Sequence, residues 1–91
     1  MTPIEFDAII FQEGSSFVAH CPELDVSSCG HDVDEARQNL KIAVWVYVEE
    51  SEKLGTLEDI LREAGYTPGA DGAWKSPRII VTEVMSLAVP R

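Results

Sequence analysis

Apolar and polar positions alternate in short runs through the first thirty residues, and then the period changes. Ile4 to Gln12 alternates imperfectly and closes on Glu13-Gly14-Ser15-Ser16, a turn-prone tetrad. Ser16 to Cys21 resumes the alternation, with Phe17, Ala19 and Cys21 on one face and Val18 and His20 on the other. So short a separation predicts an antiparallel hairpin. Pro22 has no N–H to give a ladder, so the strand ends there. Glu23-Leu24-Asp25 makes a corner, and Val26 to Cys29 reads as a short third strand stopped by Gly30.

From Val33 the apolar residues fall at 33, 36, 40, 43, 44, 47 and 48, a stripe of helical period. Asp32 is placed as N-cap with Glu35 three residues on, the spacing of a capping box. The helix is predicted to run to about Lys53, with Gly55 just past its end. Trp45 and Val46 lie off the stripe, which predicts a second contact: with the C-terminal segment, with the Tyr66 to Trp74 loop, or with another subunit. Thr56 is placed to cap a shorter helix, Leu57 to Ala64, ended by Gly65. Tyr66 to Gly72 reads as loop, and Arg78 to Val89, rich in β-branched residues and free of breakers, as a final strand. The order β-β-β-α-α-β over residues 1–91 predicts a single α+β domain. Its sheet would be mixed and four-stranded, with the helices on one face and the last strand parallel beside the first.

Ninety-one residues allow one core, and 45% hydrophobic residues are ordinary for a globular domain. Charge changes the picture more. Seven basic against sixteen acidic residues give a net charge of −9, which repels phosphate backbones, and no Lys/Arg cluster offsets it. Direct nucleic-acid binding is therefore not expected, and a basic partner suits the chain better. No apolar run approaches the ~20 residues of a bilayer span, and the first residues lack the basic start and apolar run of an export signal. Two cysteines without such a signal are expected as thiols in a cytoplasmic protein with no membrane contact.

The segment Phe17-Val-Ala-His-Cys-Pro-Glu-Leu24, followed by Ser28-Cys-Gly-His-Asp-Val-Asp-Glu-Ala36 and then Asn39, Leu40 and Ala43, resembles the HicB-like antitoxin family. The resemblance extends over about Phe6 to Glu50. It implies a partial ribonuclease-H-like fold, no catalysis, and a partner that is a small, basic, HicA-like RNA-cleaving toxin held by protein–protein contact. Members usually carry a further C-terminal DNA-binding module, and this sequence reaches Arg91 directly after the last predicted strand. Where the family has Pro-Gly after the Cys-Pro-Glu-Leu motif, this chain has Asp25-Val26. The acidic corner at Glu23, Asp25 and Asp32 is the first candidate for meeting a toxin, and Trp45 and Val46 for a homo-oligomer interface.

Other constellations are weaker. His20, Cys21, Cys29 and His31 are metal-ligand types, but His20 and Cys21 are strand neighbours pointing to opposite faces, and Cys29 with His31 makes only half a tetrahedral site. A nuclease reading would need Asp7, Glu83 and either Glu35 or Glu50 to converge on metal ions. Neither a metal nor any other cofactor is expected.

Overall fold

The computed structural model describes residues 3–90. Strands β1 (Ile9–Glu13), β2 (Ser16–Cys21) and β3 (Val26–Gly30) form an antiparallel meander in that spatial order. The register pairs Ile10 with Ala19 and Gln12 with Phe17, and then Ala19 with Ser28 and Cys21 with Val26. Alternation across these strands sends Ala19 and Cys21 to one face, where both are fully buried.

Helix α1 (Val33–Lys53) covers that face through Ala36, Leu40 and Val44, with Leu24, Leu61 and Tyr66 completing the core. Asp32 is its N-cap: Oδ1 accepts from the Glu35 N–H at 2.7 Å, while Glu35 Oε1 accepts from the His31 N–H at 2.8 Å. The reach back goes one residue past that of a standard capping box, to His31 instead of the cap itself. Asp32→Ala is expected to cost about 1 kcal/mol, read as a lower urea midpoint at unchanged m-value.

The cap works only because β3 lets the helix come close. A Cβ added at Gly30 would lie 2.5 Å from the Ala36 backbone nitrogen and 2.9 Å from the Glu35 carbonyl carbon. Asn39 ties the same junction by donating its side-chain N–H to the Cys29 carbonyl at 2.8 Å.

Ser51, buried at the far end of α1, donates its hydroxyl to the Tyr47 carbonyl at 2.8 Å and accepts the Thr56 N–H at 2.9 Å on its own carbonyl. The Thr56 hydroxyl donates to that same carbonyl at 3.3 Å, so it faces back to α1 and does not cap α2 (Leu57–Glu63) as expected. Gly65 ends α2 in the left-handed region, φ 91°, a conformation that side chains with a Cβ resist.

The chain then departs from the four-stranded expectation. Thr67–Pro68 (β4), inside the predicted loop, pairs antiparallel with Trp74–Lys75 (β5) just beyond it as a small two-stranded sheet. Trp74 also forms a parallel bridge to Ile4: its N–H donates to the Pro3 carbonyl at 2.9 Å, and its carbonyl accepts from the Glu5 N–H at 3.4 Å. So the residue that returns parallel to the N-terminal segment is Trp74, and Ile4 serves that bridge instead of opening β1, which begins at Ile9. Tyr66 reinforces the closure, donating its hydroxyl to the Glu5 carbonyl at 2.7 Å.

Arg78 to Val89, expected as the final strand, belongs to no strand, and its large side chains are exposed. Pro77 removes the donor that would extend the ladder past Ser76. A β-branched run also has no intrinsic sheet of its own; its preference is for a pleated surface, and none lies beside it.

Candidate functional site

The corner after β2 gathers a half-buried acid, Glu23. Both Glu23 carboxylate oxygens accept from the Asp7 N–H, at 3.1 and 3.2 Å, and Oε1 also accepts from the Cys21 thiol at 3.4 Å. Half-buried there, with the Asp7 carboxyl beside it, Glu23 is held above the ordinary glutamate range, burial being the larger cause. Burial likewise pushes the Cys21 thiol up to about 11, and the Glu23 carboxylate adds to it. Cys21 is thus a buried thiol at neutral pH and no nucleophile.

A raised folded-state value means the native corner holds its proton more tightly than the unfolded chain does. Its stabilising contribution is present below the ordinary glutamate pKa and is lost as pH rises through the raised one. Glu23→Gln keeps one acceptor oxygen for Asp7 and cannot ionise. The difference in urea midpoint, variant minus wild type, should therefore move in the variant's favour between pH 4 and pH 7.5. The magnitude expected is within about 1 kcal/mol.

The three acids expected to meet a toxin do not form one patch. Glu23 is turned inward on Asp7 and Cys21. Asp32 is engaged as the helix cap at the far end of β3, whose five residues span roughly 17 Å. Asp25 is the one with a free carboxylate, 95% exposed, its nearest cation being the His20 ring at 3.8 Å if protonated. Its φ of 55° makes the turn into β3, a left-handed position that aspartate tolerates better than most residues.

The two residues expected at an oligomer interface do lie together. Trp45 and Val46 stand on the outer face of α1, 57% and 46% exposed, and Trp45 does not pack beneath the Tyr66 to Trp74 loop. Ile42, 60% exposed, joins them one turn earlier, so the outer stripe is 42, 45 and 46. Trp45 and Val46 are the outer residues expected from the sequence and Ile42 is not; its signal is its spacing of three and four residues from them. The other tryptophan, Trp74, closes the core edge and receives the Arg62 guanidinium over its ring at 5.4 Å.

The metal-ligand types are scattered. Cys21 is buried on the helix side, His20 bonds Ser27 Oγ on the opposite side, Cys29 is exposed, and His31 pairs with Glu35 at 2.9 Å. Among the described residues, no three His, Cys, Asp or Glu side chains converge as a metal site would require. The nuclease acids are as dispersed: Glu83 stands on the exposed 78–90 segment, and Glu35 and Glu50 are fifteen residues apart on one helix, about 22 Å.

Three of the six described basic side chains pair with acids on their own helix. Arg37 pairs with Asp34, Lys53 with Glu49 and Arg62 with Glu58, all exposed. The surface left over is acidic, and no described helix is long and apolar enough to cross a membrane. No known protein-family profile matches this chain, and neither a curated protein nor a solved structure does.

Proposed function

We propose that this chain is a HicB-like antitoxin module that binds and neutralises a small basic RNA-cleaving toxin by protein–protein contact, without catalysis of its own. The observation that carries the reading is the placement of the resemblance. Phe17 to Ala36 forms one contiguous unit: β2, the Glu23–Asp25 corner, β3, the capped start of α1, and the Gly30 contact that joins them. The parallel Ile4–Trp74 bridge, which sets a returning segment beside the chain five residues before β1, supports the partial ribonuclease-H-like arrangement that goes with it.

In this reading, neutralisation is occlusion. A toxin that cleaves RNA carries a cationic face for phosphates, and a surface with a net charge of −9 is attracted to that face before any close contact forms. Asp25, with its free carboxylate at a fixed corner, contacts it directly.

The exposed Ile42, Trp45 and Val46 stripe favours a second reading, a homo-oligomeric interaction domain with no toxin. Co-expression with any short basic protein whose gene adjoins this one separates the two. The antitoxin restores growth and elutes with its partner as one complex, and Asp25→Lys weakens that complex about tenfold. Growth arrest that persists, with the two proteins eluting apart, rejects the antitoxin reading.

A further inference from the structure

Beyond Arg78 and Ile79, which line a cavity with Glu5, Phe6 and Asp7, residues 80–90 stand off the body of the molecule. The radius of gyration is 15.5 Å, against roughly 12 Å expected for a compact domain of this length. Within the segment, Ile80, Val81, Val84, Met85, Leu87 and Val89 are 67–97% exposed. At roughly 100 Å² of apolar surface per large aliphatic side chain, these six carry about 600 Å². That is most of the ~800 Å² each partner buries in a standard interface. From Arg78 to Val89 there is no glycine or proline, and the segment's backbone makes none of the ladder bonds a strand would.

We infer that this segment pairs with its own counterpart in a second copy of the chain, as an antiparallel two-stranded ribbon with a two-fold axis at Val84. The register follows from the residues. A two-fold axis at Val84 sets Ile79 opposite Val89, Ile80 opposite Ala88, Val81 opposite Leu87 and Thr82 opposite Ser86, with Val84 meeting itself. Every residue from 79 to 89 then has a partner, and at all but the 83–85 pair like meets like: apolar with apolar, hydroxyl with hydroxyl. Glu83 falls opposite Met85. An axis at Glu83 instead would set two carboxylates face to face, which opposes pairing. An axis at Met85 sets Val84 against Ser86 and Glu83 against Leu87, and an axis at Thr82 leaves residues 87–89 unpaired.

A self-complementary strand is what an isologous dimer contact needs, since one patch must fit itself. The segment is also fitted for it electrostatically. Arg78 and Glu83 are its only charged residues through Val89, so two copies approach there without the repulsion that acidity imposes elsewhere. This surface is separate from Trp45 and Val46, and the inference stands whether or not a toxin is bound.

Site-directed cross-linking on the full chain tests it, in a Cys29→Ser background that leaves only the buried Cys21. Under mild oxidation Val84→Cys should give a disulfide-linked dimer at least tenfold more readily than Ile80→Cys. In this register the two copies of residue 80 are eight residues apart along the ribbon, about 26 Å. Sedimentation equilibrium should report twice the chain mass for wild type, and a single chain mass for the double variant Val81→Asp, Leu87→Asp, with its helical circular dichroism retained. A wild-type monomer at 100 µM overturns the inference. So does equal cross-linking at the two positions, or a dimer that persists in the double variant.

Discussion

Leu40→Ala should lower stability by about 2–5 kcal/mol, among the large losses expected from a core truncation in this molecule. Leu40 is 1% exposed at the middle of α1, where the helix lies on the meander. It sits between Ala36 and Val44 on the inner stripe, and the sheet residues beneath, Ala19 and Cys21, are small and buried. Small neighbours on strands held in a hydrogen-bonded register cannot move in to fill the void, which places the cost toward the upper part of the range. Domains of this size hold only about 5–15 kcal/mol in total, at 4–8 °C of melting temperature per kcal/mol. Thermal unfolding followed at 222 nm should therefore shift down by at least about 10 °C. A shift under 3 °C would mean that Leu40 is not central to the core.

Gly30→Ala acts by the opposite mechanism, adding an atom where there is no room. The new Cβ meets backbone, the Ala36 nitrogen at 2.5 Å and the Glu35 carbonyl carbon at 2.9 Å, so no side-chain rotation relieves it. The first turn of α1 has to lift from the end of β3, loosening the Asn39 bond to the Cys29 carbonyl as it goes. A cost of about 1–3 kcal/mol follows. Amide exchange distinguishes this from a general loss: protection should fall first in residues 35–38 and last in the middle of β2. Gly65→Ala makes a useful contrast, because the added Cβ there meets the Pro77 ring at 2.9 Å and its strain comes from φ.

Elements set by neighbours in sequence were legible from the residues. Ser16 to Cys21 alternates cleanly and is stopped by Pro22, and the strand found there has the predicted bounds. Helix α1 announces itself by Asp32, a stripe of period 3.6 and Gly55, and it spans Val33–Lys53. What was lost depended on contacts far along the chain. Ile4 looks like part of β1 until Trp74, seventy residues on, takes its backbone. Residues 78–89 have a strand's composition, and composition cannot say whether a partner strand is within reach.

The candidate site divides in the same way. Trp45 and Val46 were visible as misfits on a helical wheel, which needs only local periodicity. That Glu23 faces Asp7 while Asp25 faces water depends on how a four-residue corner folds back on β1's approach, and no alternation encodes it.

The bridge between Ile4 and Trp74 also sets an order of assembly. The meander and α1 are joined by contacts between sequence neighbours, which form early because little chain entropy is lost in closing them. The two ends of the domain meet through the Pro3–Trp74–Glu5 backbone bonds and the Tyr66 hydroxyl, across sixty to seventy residues of chain. Loop-closure entropy makes that closure the one expected to form last. Pro77 follows directly after it, so residues 78–90 leave the domain from the place where its two ends meet. The segment with the most exposed apolar surface thus hangs from a joint between residues far apart in the chain.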